Sequence, residues 1–176
     1  MAGLTLVTGG ARSGKSAIAE GLIAGPGSVC YIATAEAGDA EMAERIERHV
    51  RRRPPEWQTV ECPRGLPDVL ARVGREHDRV IIDCLTIYIA NCLGDGSAPD
   101  DIVIEEADAV ARLAADVPAE VVVITNEVGC GIVPANALSR RFRDLQGLAN
   151  QAFAAAADRV VLAVSGLPVV LKGDPL

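Results

Sequence analysis

The residues Gly9-Gly10-Ala11-Arg12-Ser13-Gly14-Lys15-Ser16 fit the pattern G-x-x-x-x-G-K-S/T and follow directly on the apolar run Leu4-Thr5-Leu6-Val7-Thr8. Few short motifs restrict a fold as tightly. Glycines let successive backbone N–H groups turn inward around phosphate oxygens, and the helix opening behind them favours an anion at its N-terminus. In that arrangement Lys15 reaches the β- and γ-phosphates, and the Ser16 hydroxyl is placed to ligate Mg²⁺. The loop requires a strand before it and a helix after it, and Ser16 to Ile23 reads as that helix. A glycine-rich turn without a ligand is the competing reading, and the position at the first strand–helix junction counts against it.

The rest of the chain keeps the alternation. Strands are expected at Val29–Ala33, Trp57–Cys62, Arg79–Asp83, Glu120–Thr125 and Arg159–Val164, with an added edge strand at Val169–Leu171. Helices are expected at Asp39–Arg53, Leu66–Glu76, Thr86–Leu93 and Ile102–Ala115, and from a cap at Asn136 to about Ala157. The helix ending at Arg53 has acids early and arginines late, matching the macrodipole, and stops before Pro54 because a residue preceding proline is pushed out of helical geometry. Continuous β-branched runs alternating with helices imply a mostly parallel sheet covered on both faces: a three-layer α/β phosphate-loop domain. Its 176 residues suit one domain, 1–176. Aromatics are only 3%, so the core is assigned to Val, Ile, Leu and Ala.

The net charge of −7 argues against a nucleic-acid partner or a membrane-surface binder. Of 17 basic residues only Lys15 and Lys172 are lysines. The five cysteines show no C-x-x-C spacing, and reduced thiols in a cytoplasmic protein are the expectation. No leader pattern and no membrane span is read in the chain.

Candidate chemistry gathers where strands end. Asp83 closes the Arg79–Ile82 run, where nucleoside triphosphatases place the acid that holds Mg²⁺; an aspartate there can also simply cap the following turn. Thr125-Asn126-Glu127 leaves the next strand at the same carboxyl edge, where open α/β sheets bind ligands, although Asn126 could merely stabilise a turn. Met42, Ile46, His49 and Val50 share one helical face, so His49 is either a partly buried spacer or a chemical group. Glu41–Arg45, Glu44–Arg48 and Glu47–Arg51 are i,i+4 pairs worth a few tenths of a kcal/mol each. Arg52 and Arg53 have no such acid and leave a positive excess suited to a triphosphate. His77, in a polar turn, reads as solvated.

Taken together, these stretches resemble the bifunctional adenosylcobinamide kinase/adenosylcobinamide-phosphate guanylyltransferase family of cobalamin synthesis. The likeness runs through Val7 to Ser16, Tyr31-Ile32-Ala33-Thr34-Ala35, the Glu41 to His49 helix and Trp57-Gln58-Thr59-Val60-Glu61. Its most specific segment is Thr125-Asn126-Glu127-Val128-Gly129 with Gly131-Ile132-Val133-Pro134. Phe142-Arg143-Asp144, Asn150-Gln151 and Val164-Ser165-Gly166 continue it, from about residue 4 to Lys172.

The resemblance implies a recombinase-like fold and two reactions on one site. Adenosylcobinamide is phosphorylated with ATP or GTP; GMP from GTP then joins adenosylcobinamide phosphate, giving adenosylcobinamide-GDP. It implies that His49 carries GMP covalently. It also implies nucleotide contacts along Gly9 to Ser16, at Thr34, Ala35 and Glu36, at Val50, Arg51, Arg52 and Arg53, and at Glu61 and Asp83, with Ser16 and Asp83 toward the metal. Some relatives carry Glu in place of Asp83, and some a second His where Arg48 stands. Family members are often trimers, so a homo-oligomer is expected. The rival readings are a kinase without guanylyl transfer and a recombinase-like ATPase.

Overall fold

β-Branched and leucine-rich runs of five or so residues are too short for buried helices, and each of them forms a strand. A computed structural model describes residues 3–38 and 40–175, with the side chains of Glu41, Met42, Arg45, Arg48, His49 and Arg52 outside the described residues. The chain runs β1 (Leu4–Thr8), α1 (Lys15–Ile23), β2 (Val29–Ala33), α2 (Ala40–Arg52), β3 (Gln58–Glu61), α3 (Leu66–Glu76) and β4 (Arg79–Asp83). It continues through α4 (Leu85–Leu93), α5 (Asp100–Asp116), β5 (Glu120–Ile124), α6 (Ala137–Ala156), β6 (Arg159–Val164) and β7 (Leu167–Lys172). The expected elements are all present. The largest boundary shifts are at β7, which begins at Leu167 rather than Val169, and at α5, which begins at Asp100 because two aspartates in its first turn complement the helix N-terminus. At α6, Asn136 caps as expected, its side chain accepting from the Ser139 N–H at 2.7 Å.

One seven-stranded sheet has the order β3-β2-β4-β5-β1-β6-β7. All neighbours are parallel except β7, which returns antiparallel to β6 through Ser165-Gly166. Alternate side chains enter two separate cores. Leu4, Leu6, Ile32, Val80, Ile82, Val121 and Val123 pack with Leu66, Leu70, Tyr88, Val110, Leu145 and Phe153 of α3, α4, α5 and α6. Val7, Tyr31, Ile81, Val122 and Ile124 pack with Ala19 and Ile23 of α1, flanked by Trp57 and Ile87. The layers are thus unequal, with four helices on one face and α1 the main cover of the other. Close helix approach needs Gly74, where an added Cβ would lie 2.8 Å from Val117 Cβ.

The register positions the site. Val161, Val7, Ile124, Asp83, Ala33 and Glu61 form one lateral row across six strands. The loop after β1, the acid ending β4, the segment after β2 and Glu61 therefore share one carboxyl edge. Neighbouring strands lie ~4.8 Å apart, so Glu61 stands four spacings, about 19 Å, from the strand carrying the phosphate loop.

Candidate functional site

The phosphate loop is braced by the two strands that flank β1. Gly9 carbonyl accepts from the Glu127 N–H at 3.1 Å, and Ser13 carbonyl accepts from the Gly166 N–H at 2.8 Å. Two glycines are required by this contact. Gly9 (φ 147°) would place a Cβ 2.5 Å from the Ala163 carbonyl oxygen, and Gly14 (φ 97°) would place one 2.9 Å from Gly166 Cα. No other residue type fits either position without moving backbone.

Lys15 opens α1 and is buried, with Nζ donating to the Gly10 carbonyl at 2.6 Å. The ammonium is thus folded over the loop. The Ser13 hydroxyl is buried and has no hydrogen-bond partner among the described residues. Gly10, Ala11 and Arg12 are exposed, and Ser16 is partly so.

Asp83 lies two strands away on the same face. Its Oδ2 accepts a hydrogen bond from the Tyr31 hydroxyl. Burial, then the Asp83 charge, push the Tyr31 phenol far above its ordinary pKa, so it remains a donor. The outer face of the Tyr31 ring carries the Arg53 guanidinium, 3.5 Å from the centroid. Arg53 Nη1 donates to the Thr59 hydroxyl at 3.2 Å, while its Nε is buried without a partner among the described residues. A tyrosine inside an apolar run reads as core, so sequence alone gives no signal of this arrangement; only the strand pairing does.

Thr34 has a different environment from a ligand-facing hydroxyl. Its Oγ1 donates to the Cys84 carbonyl and accepts from the Cys84 N–H, both at 2.8 Å, and its carbonyl accepts from Asn91 Nδ2 at 2.9 Å. Thr34 clamps the ends of β2 and β4, and it shapes the edge on which Ala35 and the exposed Glu36 follow.

Beyond β5, the fully buried Thr125 and Gln146 join Thr86 and Asn150 in one network. Thr125 donates to Asn150 Oδ1 at 2.6 Å, Gln146 Nε2 donates to Thr125 Oγ1 at 3.0 Å, and the Asn126 N–H donates to Thr86 Oγ1 at 2.7 Å. Asn150 Nδ2 donates to the Asn126 carbonyl at 3.1 Å. Asn126 and Glu127 are thereby fixed beside Gly9. The network's α6 half lies some twenty residues downstream and is invisible to a local reading.

His49 belongs to the last turn of α2, followed by Val50, which is 50% exposed; its side chain lies outside the described residues, as do those of Arg48 and Arg52. The apolar face expected there is therefore open at Val50. Arg51 pairs with Glu47, both exposed, which is worth a few tenths of a kcal/mol. Contrary to expectation, His77 is not simply solvated. Its Nδ1 lies 3.2 Å from the Val73 carbonyl and its Nε2 2.9 Å from Gln58 Oε1. Each ring nitrogen has an oxygen within hydrogen-bond distance, of which a neutral ring donates to one, and the residue precedes β4, at the amino edge of the sheet.

Cys30, Cys62 and Cys84 are buried free thiols, and burial raises Cys30 and Cys84 to about 11. Among the described residues no His, Cys, Asp and Glu cluster forms a metal cage, and no helix is long and apolar enough to cross a membrane.

The model of a family described as cobinamide kinase / cobinamide phosphate guanyltransferase matches residues 5–171. A bifunctional adenosylcobalamin biosynthesis protein of Salmonella typhimurium is 43% identical over 180 residues, covering 96% of this chain and 99% of the relative. Its Pseudomonas aeruginosa counterpart is 42% identical over 174 residues, covering 97% and 98%. Among solved structures, the P4 protein of bacteriophage phi6 in complex with ADP superposes with a TM-score of 0.53 at 14% identity. It covers 95% of this chain, which spans only 54% of that one. That likeness is one of fold alone.

Proposed function

The chain belongs to the cobinamide kinase / cobinamide phosphate guanyltransferase family, and on that premise we propose that a single carboxyl-edge site runs both of its reactions, the second through a GMP–histidine intermediate on His49. It is a kinase and a nucleotidyltransferase of cobalamin biosynthesis. The histidine step is what the family resemblance implies, and the positions of the two imidazoles support His49 for it. His77 lies at the amino edge of the sheet, away from the phosphate loop, whereas His49 is in the last turn of α2 with Arg51 and Arg53 just beyond it.

In the first reaction an adenosylcobinamide hydroxyl attacks the γ-phosphorus of ATP or GTP. The bond to the β–γ bridging oxygen breaks, and the nucleoside diphosphate leaves. The protein's part is positioning and charge stabilisation, which the loop amides and Lys15 supply. In the second, a His49 ring nitrogen attacks the α-phosphorus of GTP, pyrophosphate departs, and a phosphoramidate remains. A phosphate oxygen of adenosylcobinamide phosphate then displaces the imidazole, forming adenosylcobinamide-GDP. Dividing one difficult transfer into two is the general gain of covalent catalysis. Donors already aimed at the leaving pyrophosphate need no reorganisation as charge develops on it.

The Ser16 hydroxyl and the Asp83 carboxylate, with phosphate oxygens, make an all-oxygen donor set that suits Mg²⁺. When bound there, the cation would neutralise charge on the departing phosphates. Asp83→Asn should raise the Mg²⁺ concentration needed for half-maximal rate about tenfold or more, because a neutral amide is a poorer ligand for a hard cation. The melting temperature should stay within a few degrees, since Asn can still accept from Tyr31. An unchanged Mg²⁺ titration with a lowered melting temperature would instead make Asp83 a structural cap.

The reading is tested by incubating the protein with α-labelled GTP and Mg²⁺. Label should stay with the protein after denaturation, be released by mild acid, and persist in base. Adding adenosylcobinamide phosphate should discharge it. A protein that phosphorylates adenosylcobinamide but never takes up label is a kinase without guanylyl transfer.

A further inference from the structure

We infer that Tyr31 is a positioning residue that orients the Asp83 carboxylate toward the metal and ties it to the end of the helix bearing His49. The inference rests on the reading of Asp83 as the acid that holds Mg²⁺. Tyr31 stands beside Ile81 in the β2–β4 register, and Ala33 stands beside Asp83. Side chains of a strand alternate between faces, so residues 31, 81 and 83 project to the same side, where α1 and the phosphate loop lie.

A tyrosine buried to 1% exposure must place its hydroxyl somewhere, and this one places it on Asp83 Oδ2. A carboxylate can rotate about its Cβ–Cγ bond and offer either oxygen. A donor held on one oxygen stops that rotation and turns the other into a directed ligand. Groups that orient metal-holding residues in this way commonly change metal affinity 10–100-fold when removed.

The ring has a second neighbour. Arg53, one residue past the end of α2, lays its guanidinium on the ring face and anchors Nη1 on Thr59 of β3. A phenylalanine would fill the same core volume and keep the ring face under Arg53, but it would remove the hydroxyl that both Asp83 and Arg53 meet. A leucine would lose the ring face under Arg53 as well. Hydroxyl and ring can therefore be tested separately.

Mn²⁺ binding in the presence of a non-hydrolysable GTP analogue, followed by electron paramagnetic resonance, gives a readout independent of turnover. Tyr31→Phe should weaken Mn²⁺ about tenfold and raise the Mg²⁺ requirement of both reactions by a similar factor. The rates at saturating Mg²⁺ should return close to those of the wild type. Tyr31→Leu should in addition keep GMP labelling slow at saturating Mg²⁺ while ATP-driven phosphorylation recovers, because the loosened Arg53 lies at the histidine helix. Wild-type Mn²⁺ affinity in Tyr31→Phe overturns the orienting role, and normal labelling in Tyr31→Leu overturns the tie to the helix. Asp83→Asn is measured alongside. If it binds Mn²⁺ as the wild type does, the metal reading of Asp83 fails and this inference falls with it. If it binds weakly while Tyr31→Phe does not, only the role of Tyr31 is lost.

Discussion

Lys15→Ala should reduce adenosylcobinamide phosphorylation and guanylyl transfer together, each to about a hundredth of its rate or below. The lysine is the first residue of α1, buried against the loop, with Nζ on the Gly10 carbonyl. Any nucleotide bound by the loop therefore meets the same ammonium, whichever of its phosphorus atoms reacts. Losing one charge-assisted contact to a phosphate costs on the order of 1.5–3 kcal/mol, or roughly ten- to hundredfold in binding. Contacts that tighten as charge develops cost more, and they appear in the turnover rate rather than in the Michaelis constant. The folded state should change little, because the Gly9 and Ser13 carbonyls still hold the loop from either side. Measuring both activities and the melting curve on one preparation separates these effects. A variant with near-normal rates in both assays would overturn the phosphate-loop reading.

How much of this was legible in the sequence depends on how local each signal is. The loop from Gly9 to Ser16 is self-contained, since its glycines, lysine and serine carry their meaning in their spacing. Most strands announced themselves as apolar runs, and α2 ended where Pro54 required. The single row from Glu61 through Asp83 to Val7 was not legible, because it depends on β4 and β5 inserting between β2 and β1. No local pattern records that choice of neighbours. Tyr31 shows the limit clearly: the run Val29–Ala33 states that it is buried, and only a strand fifty residues later supplies its partner.

Two residues have side-chain partners that the local sequence does not announce. Thr34 falls in a segment whose resemblance implies nucleotide contact, yet its hydroxyl both donates to and accepts from Cys84 backbone. Its contribution to such a site would run through the shape of the Ala35-Glu36 backbone that follows. His77 sits among charged residues and reads as solvated, yet Val73 and Gln58 engage it. In both cases tertiary neighbours, rather than the local sequence, decide what the side chain does.

His49→Ala should abolish GMP labelling and guanylyl transfer while leaving ATP-driven phosphorylation of adenosylcobinamide at least partly intact. The separation follows from the chemistry of the two transfers. A hydroxyl attacking a γ-phosphorus needs the nucleotide held and its charge offset, and the loop, Lys15 and Asp83 are unaffected by the change. Attack on the α-phosphorus in the covalent route needs a nitrogen nucleophile, which an imidazole supplies. An alanine has no group that can replace it, and His77, at the amino edge beside Val73 and Gln58, lies at the wrong end of the sheet. Alanine is also the best helix former, so α2 should persist and the loss should not reflect unfolding. The decisive comparison is label retained from α-labelled GTP by wild type and variant at matched kinase activity. Persistent acid-labile labelling of His49→Ala would place the nucleophile on another residue; loss of labelling and phosphorylation together would mean that His49 supports the site as a whole rather than carrying GMP.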